Sequence, residues 1–440
     1  MRPSLKCAAI PALALTFTSC DSSTSPGTQA LVDFVLGFCA SDAPSFVAYQ
    51  NEGGAWTPVT LGASSSTTIK VTSKFGIAIV NQFGSNFETE VIYGTTAELA
   101  PVASNPSCGS SSGSKTLNGS VSGLTSGQFA DITMSQISAF VFAGGATSFQ
   151  LFGVPDGPQD LVAMRSTGGI PNRTIVRRAL NLTNNSTMPV LDFGTTEAVA
   201  PATNTLTISG HSPNDFNSVS IMFNTATGTE VFFSAPSVGT TSATIYGIPP
   251  SLTLSTDMHQ TDFFSASSTG TSARGVVAFN RNLTDRSMTL GAALNTPTIT
   301  TTSTSPVLMR AQFATQADYN SLVAVQFEQV ISSVSRSFSV EMTSGYNGST
   351  ATSWDLQMPN LTSVTGFPPG ASLVSGTTDW VVVGTDGSPS AFFGSGTEGT
   401  SARYAFSGSS SGSFLVDENS SALRADRSRL SPFRRLAHNY

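Results

Sequence analysis

The chain is poor in charge. Only 11% of its 440 residues are Asp, Glu, Lys or Arg, against about 25% in an ordinary soluble protein. The charge that remains is acidic, a formal net of −7, which excludes the basic footprint that nucleic-acid binding requires. Histidine is scarce: His211, His259 and His438 are the whole supply. None has a second His or Cys at ligand spacing, so no zinc site is indicated. Cysteine is limited to Cys7, Cys20, Cys39 and Cys108. No apolar run reaches the roughly 20 residues that cross a bilayer. From these absences we expect no catalytic residues, no metal site and no cofactor.

What is plentiful points to strands. The chain carries 29 Phe and 39 Gly among abundant Ser, Thr, Val and Ile, the composition of β-structure joined by polar turns. Hydrophobic residues make up 39%, enough for a core and unlike a disordered chain. Apolar alternation predicts strands over 31–38, 45–50, 56–61, 67–72, 75–82 and 87–93. The turn Asn51-Glu52-Gly53-Gly54 marks a hairpin between the second and third. Residues 30–108 therefore read as an N-terminal β-sandwich, and the Ser/Gly run 109–115 as a linker.

Beyond the linker the chain repeats itself. Arg173-Thr174-Ile175-Val176 followed by Asn181-Leu182-Thr183 recurs as Arg274-Gly275-Val276-Val277 followed by Asn282-Leu283-Thr284. Asp215-Phe216-Asn217-Ser218 recurs as Asp318-Tyr319-Asn320-Ser321, and Gly270-Thr271-Ser272-Ala273-Arg274 as Gly399-Thr400-Ser401-Ala402-Arg403. Phe152-Gly153-Val154-Pro155 is echoed by Tyr246-Gly247-Ile248-Pro249 and, more loosely, by Gly366-Phe367-Pro368. The reading is three related β-modules at 116–200, 201–295 and an enlarged 296–416, followed by a polar, basic tail at 417–440. Units of about 100 residues suit Ig-like sandwiches. A β-propeller with two blades per repeat is the alternative fold. The stretch 148–163, SFQLFGVPDGPQDLVA, resembles the closing strands of transthyretin-like, carboxypeptidase-regulatory-like modules. That resemblance implies a seven-stranded sandwich serving as a spacer or binding accessory.

The N-terminal run MRPSLKCAAIPALALTFTSC has basic Arg2 and Lys6, an apolar core over 7–17, then small residues. This is the pattern of a secretory signal. Phe17-Thr18-Ser19-Cys20 resembles the lipobox of bacterial lipoproteins, with Phe17 where Leu is usual. The resemblance implies a signal peptide at 1–19, a lipid on Cys20 and a tether over 20–29. It also implies an exported protein anchored by lipid to a bacterial membrane, facing the periplasm or the cell surface. Asp21 does not decide the membrane. An ordinary cleaved signal with Cys20 near the cut also fits the residues. With Cys7 in the signal and Cys20 lipidated, Cys39 and Cys108 are left for a disulfide; two separate buried thiols are the alternative.

Motifs for chemistry fail in context. The G-x-S-x-G matches at 109–113 and 408–412 lie in Ser/Gly runs, where a nucleophile elbow needs a strand and a helix. Asp215 and Asp318 recur in equivalent settings, as turn caps or, alternatively, calcium ligands. Arg274 and Arg403 recur too, and are expected to pair with carboxylates or cover a strand. Trp56, Trp354 and Trp380 are the candidate stacking platforms for a glycan, with core positions the default for tryptophans in an all-β chain. Arg424, Arg427, Arg429, Arg434 and Arg435 crowd the tail, which reads as solvated or as a patch for anionic headgroups or polysaccharide. The expected role is that of a lipid-anchored cell-envelope protein in non-catalytic binding, adhesion or structure. Its partners would be the membrane, through the lipid, and envelope polysaccharide or protein. A secreted hydrolase, for example acting on glycans, is the alternative.

Overall fold

The computed structural model describes residues 30–38, 43–61, 66–103, 114–235, 238–239, 241–387 and 396–409. Cys7, Cys20, Cys39 and Cys108, the signal and tether, and the Arg-rich tail lie outside the described residues.

The chain is all-β, and one order of strands recurs through it. In module 1 the strands are Ser114–Ser122 (position A), Gln128–Met134 (B), Ile137–Phe142 (C), Ser148–Pro155 (D), Gln159–Thr167 (E), Ile170–Leu180 (F) and Leu191–Asp192 (G). They make two facing sheets, D-A-G and C-B-E-F. A and D are antiparallel, A and G parallel. Alternate apolar residues from both sheets meet between them, among them Leu117, Ile132, Leu151, Leu161 and Ile175. That alternation makes this segment a sandwich.

Module 2 repeats the pattern with Ala202–Ser209, Phe216–Asn224, Glu230–Ser234, Ser242–Gly247, Met258–Ala266, Ser272–Asn280 and Arg286–Thr289 at positions A to G. The parallel A–G pairing is kept. Strand A ends in both modules on a glycine with positive φ, Gly123 and Gly210. At Gly210 a β-carbon would also sit 2.9 Å from the Leu290 carbonyl oxygen. Module 3 places Val307–Ala314, Leu322–Ile331, Val334–Thr343, Ser353–Gln357, Asp379–Thr385 and Ser401–Gly408 at A to F. Its A strand is flanked by the antiparallel Thr298–Thr304 where the other two carry G.

The N-terminal unit, read from sequence as a separate sandwich, has the same topology. Val32–Gly37 (A) pairs with Ser66–Val71 (D). Thr57–Pro58, Phe46–Asn51, Lys74–Phe83 and Asn86–Thr95 follow as C-B-E-F. The helix Thr96–Ala103 comes next. Its Leu99 enters the core formed by Phe34, Leu36 and Ile92.

Three of the C-B-E-F faces are fused, edge to edge, into one 12-stranded sheet. Strand F of module 2 runs antiparallel along strand F of module 3, from Ser272↔Ser407 to Ala278↔Ser401. Strand C of module 3 runs parallel to strand F of the N-terminal unit, from Arg336↔Phe87 to Met342↔Tyr93. Backbone ladders thus continue from unit to unit. Propeller blades are separate sheets set round an axis, so the propeller alternative does not hold. Module 1 keeps its own four-stranded face. That face packs Val162 and Met164 of strand E into the core of module 2. Strand E is therefore buried on both sides. No helix among the described residues is long and apolar enough to cross a membrane.

Candidate functional site

The repeated polar residues of the sequence are brought together in the structure. Asp215, just before strand B of module 2, faces Arg274 at the start of strand F, with Arg274 Nη2 3.2 Å from Asp215 Oδ2. The same carboxylate accepts the Ser212 amide at 3.0 Å and the Ser265 hydroxyl at 3.2 Å. Arg274 also donates to the carbonyls of Gly210 and Gly291 at 2.9 and 3.1 Å. In module 3, Arg403 lies 3.7 Å from Asp318 and 3.6 Å from Asp386. Asp318 accepts the Ala292 amide at 2.9 Å, and the Tyr319 hydroxyl donates to the Ala292 carbonyl at 2.5 Å. The recurring Asp and Arg therefore cap turns and clasp the 291–292 connection between modules 2 and 3. An arginine stands where the calcium reading would put a cation. Among the described residues no group of three or more His, Cys, Asp or Glu is placed to hold a metal ion.

The three tryptophans lie in or against the hydrophobic cores. Trp354 is 2% exposed and belongs to the core of module 3, so its stacking role is corrected. It lies opposite Phe313 in the antiparallel A–D pair, on the inward face. Trp56 and Trp380 are half-buried and pack against the same core. Trp56 meets the Tyr93 ring edge-on, with centroids 6.3 Å apart. Tyr93 in turn lies 5.1 Å from Tyr346 of module 3, so Trp56 is part of a junction between units.

His259 is buried in strand E of module 2 and fully engaged. The Ile248 amide donates to its Nε2 at 3.0 Å, and its Nδ1 sits 2.6 Å from the Arg281 carbonyl oxygen, placing the ring proton on Nδ1. Burial pushes its pKa down to about 4, so the imidazole is neutral. This is a strut, with both ring nitrogens held by backbone groups.

Sequence reasoning missed the buried carboxyls. Glu90 of the N-terminal unit and Glu341 of module 3 are 4% and 1% exposed. They lie on paired strands at the C–F junction, where Glu90 is opposite Ser339 and Glu341 opposite Ile92. Burial pushes the Glu341 carboxyl up to about 8, against the hydrogen bond from Glu90. Their partners are some 250 positions apart in the chain, and no local spacing announces such a pair. Beside them, Glu98 acts as a clip. It accepts the Thr95 amide and hydroxyl at 3.0 and 2.7 Å in a capping box. Across the junction it accepts the Thr343 hydroxyl at 2.6 Å and the Gly345 amide at 2.9 Å. Burial raises its pKa, but the four hydrogen bonds outweigh that and hold it below the usual range.

Module 1 is joined to module 2 by charge. Arg178 reaches Asp160 at 3.0 Å in its own module and Asp257 at 2.5 Å in the next. Asp257 is fully buried. The Thr229 hydroxyl donates to the Asp160 carbonyl at 2.7 Å, and the Glu230 amide to the Ser135 carbonyl at 3.1 Å.

One surface has no such internal use. Phe140, Phe142 and Phe152 are 57%, 62% and 62% exposed. The first two stand on strand C of module 1, an outer edge of its four-stranded face. The third is on the neighbouring strand D. In Ile137–Phe142 the two phenylalanines alternate with Val141, which points into the core.

No protein-family model and no curated protein matches the chain. Among solved structures, a protein provisionally named an adhesin from Bacteroides ovatus aligns at 7% identity, covering 38% of this chain and 83% of that one, with a TM-score of 0.15. The Bacillus anthracis TIE protein aligns at 8% identity over 59% of this chain and 50% of that one, with a TM-score of 0.13. The pilus adhesin SpaC from Lactobacillus rhamnosus GG aligns at 7% identity over 71% of this chain, with a TM-score of 0.12. This chain spans 43% of SpaC's length. Likenesses this slight carry no argument about fold or function, and the β-sandwich architecture stands on the strand order alone.

Proposed function

We propose that the chain is an exported, lipid-anchored cell-envelope protein whose β-units serve a non-catalytic binding, adhesion or structural role. The observation that carries this reading is the use made of the repeated polar residues. Asp215 with Arg274, and Asp318 with Arg403, hold turns and inter-module connections. These recurring charged side chains are thereby occupied in holding turns and joining units. A sheet continuous through three units presents surfaces as one stiff body, which suits a spacer or binder held away from a membrane. The lipobox-like run ending at Cys20 and the polar stretch behind it supply the anchor and the leash. Cys39 and Cys108 form a disulfide in this reading, consistent with an oxidising compartment. The partners are the membrane, through the lipid, and envelope polysaccharide or protein.

Two measurements test it. Mass spectrometry of the native protein should find a mature N-terminus at an acylated Cys20; cleavage elsewhere removes the anchor. Purified chain should be retained by envelope polysaccharide or on a glycan array without altering it. Turnover of that material would put the hydrolase alternative in its place.

A further inference from the structure

The C-B-E-F faces have four edges among the described residues: strand C of module 2, strand C of the N-terminal unit, and strands C and F of module 1. Open edges template pairing with other chains, and proteins blunt them with short strands, proline, charge or cover. Three of the four are blunted. Strand C of the N-terminal unit is only Thr57–Pro58 and contains a proline. Strand C of module 2 begins on Glu230, whose amide is tied to Ser135 of module 1. Strand F of module 1 carries Arg173, Arg177 and Arg178 and is bridged at Thr174 by Val199.

Strand C of module 1, Ile137–Phe142, has none of these devices. It pairs on one side only, with strand B. It has no charged residue and no proline, and it is not bulged against its partner. Its outward face carries Phe140 and Phe142, with Phe129 of strand B beside them at a centroid distance of 6.0 Å from Phe142. An exposed apolar edge of this kind predicts a strand laid against it.

The chain itself indicates which strand. Its units already join edge to edge, and the module 2–module 3 junction joins like to like, F with F, antiparallel and close to a two-fold arrangement. In a second copy the F edges of modules 2 and 3 and of the N-terminal unit are taken, and the other C-B-E-F edges are blunted as described. Among the C-B-E-F edges of the described residues, the one left to match Ile137–Phe142 is the same strand. We propose that strand C of module 1 pairs antiparallel with strand C of module 1 in a second copy, making an isologous dimer. With Val141 opposite Val141, Phe140 of each copy faces Phe142 of the other on the outward side, an aromatic cross-strand pair. A six-residue edge is small beside an ordinary stable interface. Such a contact is weak in dilute solution and is reinforced where copies are concentrated on one surface. It is independent of how the chain is anchored and of any envelope ligand.

The test is sedimentation velocity of the full chain over a concentration series, with hydrogen exchange at both ends of the series. The expected result is a monomer–dimer equilibrium with amides of 137–142 protected only at high concentration. The double substitution Phe140→Lys, Phe142→Lys should weaken association about tenfold or more and leave the melting temperature unchanged. A wild-type chain monomeric throughout, protection appearing elsewhere, or a variant that dimerises undiminished would each overturn the proposal. Should the double substitution impair folding, Phe140→Ser with Phe142→Thr keeps strand propensity and applies the same criterion. Retention on envelope polysaccharide is scored separately, so a monomer that still binds sinks the dimer alone, and a dimer that binds nothing sinks the binding role alone.

Discussion

Module 2 has two neighbours and holds them by different means. Toward module 3 it extends a backbone ladder along Ser272–Asn280 and Ser401–Gly408, with the Tyr404 hydroxyl donating to Asp262 at 2.7 Å beneath it. Toward module 1 it offers side chains: buried Asp257 for Arg178, Thr229 for the Asp160 carbonyl, and an apolar patch for Val162 and Met164. A ladder spreads its hydrogen bonds over many main-chain groups and is indifferent to most substitutions. The charged junction has a few scattered polar contacts and one guanidinium that serves two buried carboxylates. Units of one topology can therefore be welded or clasped, and the clasp is the joint that a single residue can open.

The largest effect should come from breaking the clasp. Arg178→Met leaves Asp160 and Asp257 buried without their cation, and is expected to destabilise the module 1–module 2 contact by about 3–5 kcal/mol. Chemical denaturation should then resolve a separate, earlier transition for module 1. A single unshifted transition would show that the apolar patch carries the joint.

Next comes the weld between module 3 and the N-terminal unit, which contains the Glu90–Glu341 pair. The folded-state pKa of Glu341 lies above its ordinary value, so its contribution is fully present below about 4.5 and is lost as pH rises through about 8. Glu341→Gln keeps a neutral hydrogen-bonding group and should stabilise the protein at pH 8, by about 2–4 kcal/mol, with little effect near pH 4. His259 acts in the opposite sense. Its pKa is depressed to about 4, so stability falls as pH drops from about 6.5 toward 4. His259→Gln should flatten that acid arm while leaving the alkaline arm in place. Melting temperatures across pH 4–9 read both; an alkaline arm unchanged in Glu341→Gln would contradict the buried pair.

The F–F weld has one fragile point. A β-carbon on Gly275 would lie 2.0 Å from the Tyr404 ring, so Gly275→Ala pushes that ring off strand F and its hydroxyl away from Asp262. The expected loss is about 1–3 kcal/mol, and Tyr404→Phe should reproduce only the hydroxyl's part of it. If both substitutions are neutral by denaturation, the ladder alone holds the junction. The smallest expected effect on stability is that of the Phe140 and Phe142 substitutions, about 0.5 kcal/mol or less.

Much of this architecture was legible in the sequence. Predicted windows such as 75–82 and 87–93 correspond to Lys74–Phe83 and Asn86–Thr95, because apolar alternation is a direct imprint of a half-buried strand. The recurring motifs fall on equivalent strands: Arg274 and Arg403 on strand F, Asp215 and Asp318 before strand B. Their pairing as structural ions follows from that placement. Less legible was the kinship of the N-terminal unit. Its strand order matches the others without shared motifs, since a β-ladder asks only for alternation and not for particular side chains. The fusion into a 12-stranded sheet was equally hidden. Edge pairing between distant units leaves no local mark, and neither does a Glu90–Glu341 contact. Whether Trp354 would stack on a ligand or fill the core was not legible, because exposure cannot be told from residue type; an indole suits a core as well as a surface.

The central claim is that backbone ladders weld the N-terminal unit, module 3 and module 2 into one body. Native-state hydrogen exchange tests it most directly, by following amides in Asn86–Thr95, Val334–Thr343 and Ser272–Asn280 under rising denaturant. A common opening free energy for the three strands is the predicted result. Exchange of Asn86–Thr95 at a distinctly lower free energy, independent of Val334–Thr343, would contradict a welded sheet.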